Sequence, residues 1–111
     1  MKKMTNNFSV SGYVAVDATV KNFETTSVAR FPISISRHET VNGQEVRKSA
    51  LINIEAWRKN DNLSEFDLMK KGQLVTVEGY FRPEEWTDKD NKKQNRIVMN
   101  ATKVYLTPEK E

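Results

Sequence analysis

Apolar and polar residues alternate along most of this chain, and the alternation defines five strands. Between residues 8 and 20, Phe8, Val10, Gly12, Val14 and Val16 fall on one face, with Ser9, Ser11, Tyr13, Ala15 and Asp17 on the other. A period of two over this length predicts a long, half-buried strand. Gly12 in its middle predicts a bend or bulge. Residues 21–27 are polar and read as a loop. Over 28–36, Phe31, Ile33 and Ile35 point inward, opposite Arg30, Ser34 and Ser36. Pro32 lacks a ladder donor and places this strand locally at an edge or bulge. Asn42-Gly43 is a hairpin signal. A third strand follows over 50–58, with Ile52, Ile54 and Ala56 opposite Leu51, Asn53, Glu55 and Trp57.

The period then changes. Asn62 with Glu65 reads as a capping box, Leu63, Phe66 and Met69 share a face, Lys70 and Lys71 fill the last turn, and Gly72 stops the segment. This predicts one short helix. Two more strands follow. Over 73–82, Val75, Val77, Gly79 and Phe81 share a face against Thr76, Glu78, Tyr80 and Arg82. Over 95–106, Ile97, Met99 and Ala101 alternate with Val98, Asn100 and Thr102. Three strands, a short helix and two strands, led by a long bent first strand, fit an all-β OB-fold. That fold is a five-stranded Greek-key barrel with one short helix between strands 3 and 4. A β-sandwich would need about seven strands. The expected organisation is a flexible N-terminus over 1–7, one domain over 8–106 and a short charged tail over 107–111.

Composition narrows the chemistry. The chain has 111 residues, no cysteine and a single histidine, His38. Disulfides, thiolate metal sites and a cysteine nucleophile are excluded, and His38 beside the hairpin turn reads as a solvated turn residue. Glu84-Glu85 and Asp88/Asp90 have no nucleophile or oxyanion donor at a useful spacing, so the expectation is a binding protein rather than an enzyme, with no metal and no cofactor. No apolar run reaches membrane-spanning length and no secretory signal opens the chain, so a cytoplasmic, nucleoid-associated location is expected. The net charge is +3, and the first 60 residues carry nine Lys/Arg against five Asp/Glu. A basic excess suits an anionic partner.

Trp57 and Trp86 are the main candidates for function. Trp57 falls in the outward phase of strand three. Trp86 continues the outward phase of strand four through Tyr80, Arg82 and Glu84. Outward aromatics call for something to cover them, and nucleic-acid bases stack on such rings. Packing against a loop or a neighbouring subunit is the plain alternative. Arg37, Arg47, Lys48, Arg58, Lys59, Lys71, Arg82, Lys92, Lys93 and Arg96 lie on the hairpin loops, at strand ends or at the helix end, and form a candidate backbone track. Arg82 and Arg96 flank the aromatic loop most closely.

Lys71-Gly72-Gln73-Leu74-Val75-Thr76-Val77-Glu78-Gly79, then Tyr80-Phe81-Arg82 and Trp86-Thr87-Asp88, resembles the OB-fold domain of the bacterial single-stranded DNA-binding protein family. The Ala29-Arg30-Phe31 region resembles that family's second strand, and Ala56-Trp57-Arg58-Lys59 the end of its third. The resemblance spans roughly residues 8–106. It implies stacking at Trp86, and at Trp57 as a Trp-for-Phe exchange, with cationic contacts at Lys59, Lys71, Arg82 and Arg96. It also implies single-stranded DNA as partner, a homo-oligomer (tetramer or dimer) and roles in DNA replication, recombination or repair. Three places depart from the family pattern. Leu51 stands where a Trp is frequent, an aromatic is missing near His38-Glu39, and Glu84-Glu85 replace positions that are often basic. The chain also ends without the family's acidic, Phe-tipped tail, so tail-mediated recruitment of proteins is not expected. The competing expectation is an OB-fold protein-interaction module of a replication or primosome-type complex, with Trp57 and Trp86 as interface anchors. Binding of RNA is a third.

Overall fold

The computed structural model describes residues 3–108. Six strands run in chain order: β1 (Phe8–Val14), β2 (Thr19–Asn22), β3 (Thr26–Val41), β4 (Gln44–Lys59), β5 (Leu74–Thr87) and β6 (Lys93–Leu106). Their order in the sheet is β1-β5-β6-β4-β3-β2, and an added β1–β3 pairing closes β1, β5, β6, β4 and β3 into a five-stranded barrel. The expected all-β OB-fold is therefore present.

The expected first strand over 8–20 is two strands. β1 leaves the ladder at Val14, and the chain rejoins β3 as β2, which spans the end of the expected strand and the first two residues of the expected loop. Pro32 explains the interruption. Its carbonyl accepts from Ala15 N–H at 3.0 Å, so its donorless nitrogen faces the same gap. Val16, expected inward, lies in the gap and is exposed. Gly12 keeps register with β5. Its hydrogen-only side chain is needed because a Cβ there would sit 2.5 Å from the Ser34 carbonyl oxygen, where the barrel seam closes.

β3 and β4 pair over their full lengths, from Thr26↔Lys59 to Val41↔Gln44. Asn42 and Gly43 turn the hairpin with φ of 53° and 78°, the pair of left-handed residues that a tight primed turn requires. Residues 41–51 are exposed throughout, so the outer half of this hairpin is an arm beyond the core. β5 and β6 form a second long hairpin with a register shift at Glu78/Gly79. That bulge carries β6 around the barrel corner. It also reverses the phase of β6, so that Ala101 and Val104 are both buried.

The expected short helix is one 3-10 turn, Ser64–Leu68, between β4 and β5. Leu63, Phe66 and Met69 recur every three residues, which is the period of the 3-10 helix. All three belong to or pack on the core. The expected capping box does not form. The N-cap residue is Leu63 with no side-chain cap bond, and no basic residue lies in the last turn. The Glu65 carboxylate is used elsewhere, by Arg58 Nε at 2.7 Å and by the Val104 backbone N–H at 2.6 Å. The core itself joins Val14, Phe31, Ile33, Ile54, Met69, Val75 and Val77 inside the barrel.

Of the expected flexible N-terminus over 1–7, residues 1 and 2 lie outside the described residues. Within the rest, the Asn6 amide makes a reciprocal pair with the Phe81 backbone, at 2.8 and 2.9 Å. Of the expected tail over 107–111, residues 109–111 lie outside. Thr107 N–H reaches the Leu74 carbonyl at 3.0 Å.

Candidate nucleic-acid interface

Side chains alternate across a strand, so register decides which candidates meet. On β4, Leu51, Asn53, Glu55, Trp57 and Lys59 share the outer face. On β5 it is Tyr80, Arg82, Glu84 and Trp86. Cross-strand pairs set Gln94 opposite Trp86, Arg96 opposite Glu84, Val98 opposite Arg82 and Asn100 opposite Tyr80. Arg30 of β3 is the direct partner of Glu55. One outer face of β3, β4, β6 and β5 thus gathers both tryptophans and three arginines.

Glu55 is the hub of this face. It is only 5% exposed and takes three donors. Trp57 Nε1 donates to Oε1 at 2.6 Å, Arg82 Nη2 to the same oxygen at 2.7 Å, and Arg30 Nε to Oε2 at 3.1 Å. Burial pushes the Glu55 carboxyl up, but the bonds from Trp57, Arg30 and Arg82 together outweigh it and hold it below the usual carboxylate range. Glu55 therefore stays ionised and fixes the plane of the Trp57 ring.

The chain of charges continues outward. Glu84 accepts from Arg96 Nε at 2.7 Å and lies 3.5 Å from Arg82 Nη2. Arg96 places its guanidinium carbon 5.9 Å from the centroid of Trp86, within cation–π range. The opposite end is closed by Phe23, whose ring stacks on Trp57 at 5.7 Å and 19°. Asn60 holds this loop by donating to the Phe23 and Glu24 carbonyls at 2.9 and 3.2 Å, and Lys21 lies over the Phe23 ring. A cleft of about 630 Å³ opens where β4 and β6 part. Its lining includes Ile52, Ile54 and Met99 together with Arg30, Asn53 and Arg96.

The structure brings together Trp57, Trp86, Arg82, Arg96 and Tyr80, with Lys59 continuing the β4 row. Arg47 continues that row onto the β3–β4 arm. Arg37 pairs with Lys48 on the arm's other face. Lys92 and Lys93 sit at the tip of the β5–β6 hairpin beside Trp86. The Asp88 carboxylate organises that turn by accepting from the backbone N–H groups of Lys92 and Asp90 and from Gln94. Its carboxyl is held below the usual range, chiefly by the Lys92 bond. Lys71 lies at the opposite end of β5 from Trp86. Arg58 points away from the face. Its side chain is 11% exposed and is spent on Glu65 and on the carbonyls of Trp57 and Ala101. It is a structural arginine.

Phe23, Arg30 and Glu55 were not legible as members of this face. Phe23 lies in a segment that reads as a polar loop, and its contact with Trp57 is made only in the tertiary structure. The one available signal was the two-residue spacing of Glu55 and Trp57 on a single strand face.

A closed five-stranded barrel with an aromatic and cationic outer face defines the class of oligonucleotide-binding barrels. The chain belongs to the Single-strand binding protein family, whose profile matches residues 5–107. It is thus a binding protein of a non-catalytic family. No curated protein sequence matches it. Among solved structures, it is similar to the Plasmodium falciparum SSB in complex with ssDNA. That match has a TM-score of 0.77 and 16% identity and covers 97% of this chain and 99% of the other. It is also similar to a deletion mutant of the single-stranded DNA binding protein from Thermus aquaticus. There the TM-score is 0.78 and the identity 19%, covering 94% of this chain and 51% of the other. Among the described residues, no helix is long and apolar enough to cross a membrane.

Proposed function

We propose that this chain binds single-stranded DNA without sequence preference, stacking bases on Trp57 and Trp86 and holding phosphates with Arg30, Arg82, Arg96 and Lys59. The observation that carries this reading is the meeting of both tryptophans and three arginines on one open face of the barrel, with Trp57 locked in place by Glu55. The family membership supports the same reading. Base stacking is sequence-tolerant because every base has a π-face, and phosphate contacts carry no sequence information. The cleft between β4 and β6 offers an apolar place for a base between Arg30 and Arg96. Protection of single strands during replication, recombination or repair is the process such binding serves. Self-association is part of the proposal. β1 pairs with β3 only at Tyr13 and Val14, so residues 8–11 present an open edge to a second copy.

The test is a titration with oligo(dT), read by quenching of the chain's two tryptophans at low and high salt. Quenching that weakens with salt is expected. Trp86→Ala is expected to cost about 1–3 kcal/mol of binding. Neither quenching nor a gel shift at low salt would overturn the proposal and favour the protein-interaction module.

A further inference from the structure

Glu84 stands in the middle of the candidate face, where a phosphate-binding surface would be expected to carry only cations. Its Oε1 accepts from Arg96 Nε at 2.7 Å, and its Oε2 faces Arg82 Nη2 at 3.5 Å. The Arg96 guanidinium that it holds lies over the Trp86 ring. One carboxylate therefore bridges two guanidinium groups and keeps one of them on the ring that a base would need.

The two acids of this face are held differently. Glu55 has three donors and is nearly sealed from water. Stripping its partners would leave a buried charge unpaired, which is costly. The Glu84 side chain is 34% exposed and is held by one short and one long bond. Exchange of such a carboxylate for another anion costs little, because water takes up the released charge. A phosphodiester offers the same feature, two oxygens able to bridge two guanidinium groups.

Resting on the single-strand reading of this face, we propose that Arg82 and Arg96 form a site for one backbone phosphate, and that Glu84 fills it in the free protein as an exchangeable counter-ion. An incoming strand replaces the Glu84 carboxylate with phosphodiester oxygens. Arg96 then leaves the face of Trp86, and the ring opens to a base. Phosphate capture and base stacking are thereby coupled through one side chain.

Glu84→Gln and Glu85→Gln remove the same charge from adjacent positions of β5. Glu85 lies on the opposite strand face and makes no ion pair among the described residues. Wild type and both variants are titrated with oligo(dT) over a range of salt. Glu84→Gln is expected to bind on the order of fivefold tighter at low salt. Its salt dependence should steepen by up to about 0.7 in log–log slope. Glu85→Gln should change affinity less than about twofold, as screened surface charges do. Equal effects of the two variants would reduce the matter to net charge and overturn the proposal. Unchanged or weaker binding by a Glu84→Gln protein that melts like wild type would also overturn it. Glu84→Thr, which suits a strand, provides a second charge-free variant with the same expected order. If neither Glu84 variant folds, the carboxylate is structural and the proposal falls. Absence of binding by wild type would instead remove the single-strand reading, and this site with it.

Discussion

Replacing Glu55 by alanine tests the central claim about the face, that a buried carboxylate organises it. Three bonds are lost: Trp57 Nε1 at 2.6 Å, Arg82 Nη2 at 2.7 Å and Arg30 Nε at 3.1 Å. A hydrogen bond to a charged group is worth about 1.5–3 kcal/mol when buried. The Arg30 side chain is 53% exposed, so its share falls to less than about 1 kcal/mol. Water also reaches Arg82 once the carboxylate is gone, and the cost of burying Glu55 disappears with it. The expected loss is therefore about 2 kcal/mol, or on the order of 10 °C in Tm for a domain of this size. The effect should depend on pH. The folded state holds the Glu55 carboxyl below its ordinary value of 4.5, so folding stability from this group is complete above that value. It is lost as pH falls through the lower, folded value, because the unfolded chain then binds the proton more readily. Urea melts of wild type and Glu55→Ala at pH 7 and at about pH 3 measure both effects. A difference under about 0.5 kcal/mol at neutral pH would refute the reasoning, since this is the scale of an ordinary surface substitution. So would a difference that persists undiminished in acid.

Two further predictions separate scaffold from surface. Arg58→Ala should cost about 1–3 kcal/mol in a urea melt, because it leaves two carbonyls without this donor and Glu65 with only the Val104 N–H. The affinity of the folded variant for oligo(dT) should be unchanged; a loss of binding larger than that of Arg82→Ala would return Arg58 to the interface. Gly79→Ala would place a Cβ 1.9 Å from the Asn100 carbonyl oxygen, a backbone atom that cannot swing aside. A destabilisation of about 3 kcal/mol or more is expected in the same melt, and a variant as stable as wild type would mean that the bulge at Gly79 is not fixed.

The candidate face was half legible. Trp57, Trp86 and Arg82 follow an outward phase along their strands, and Arg96 flanks the aromatic loop. The outward phase of β5 puts Glu84 beside Trp86 and Glu85 on the other face, but the ion pair of Glu84 appears only when β6 sets Arg96 opposite it. Arg58 looked like its neighbour Lys59, yet one lies under the sheet and the other on it. A one-residue step reverses the face of a strand, and only the barrel shows which face is covered. The capping box failed for a related reason. Asn62 and Glu65 have the spacing of a capping box, but Arg58 and Val104 compete for the same carboxylate from elsewhere in the fold.

What this sequence determines by itself is local and periodic. The alternation sets the strands, Asn42-Gly43 sets a turn, and the three-residue spacing of Leu63, Phe66 and Met69 sets the apolar face of the short helical turn. These follow from backbone sterics and apolar burial, which act over a few residues. What only the tertiary structure decides is long-range. It determines that β1 breaks opposite Pro32, that Phe23 comes to rest on Trp57, and that two acids and three arginines interlock on one face. Those contacts join residues up to 34 positions apart, such as Phe23 and Trp57. Charge pairing and ring stacking depend on distances of a few ångströms, which strand register and barrel closure supply and residue order alone does not.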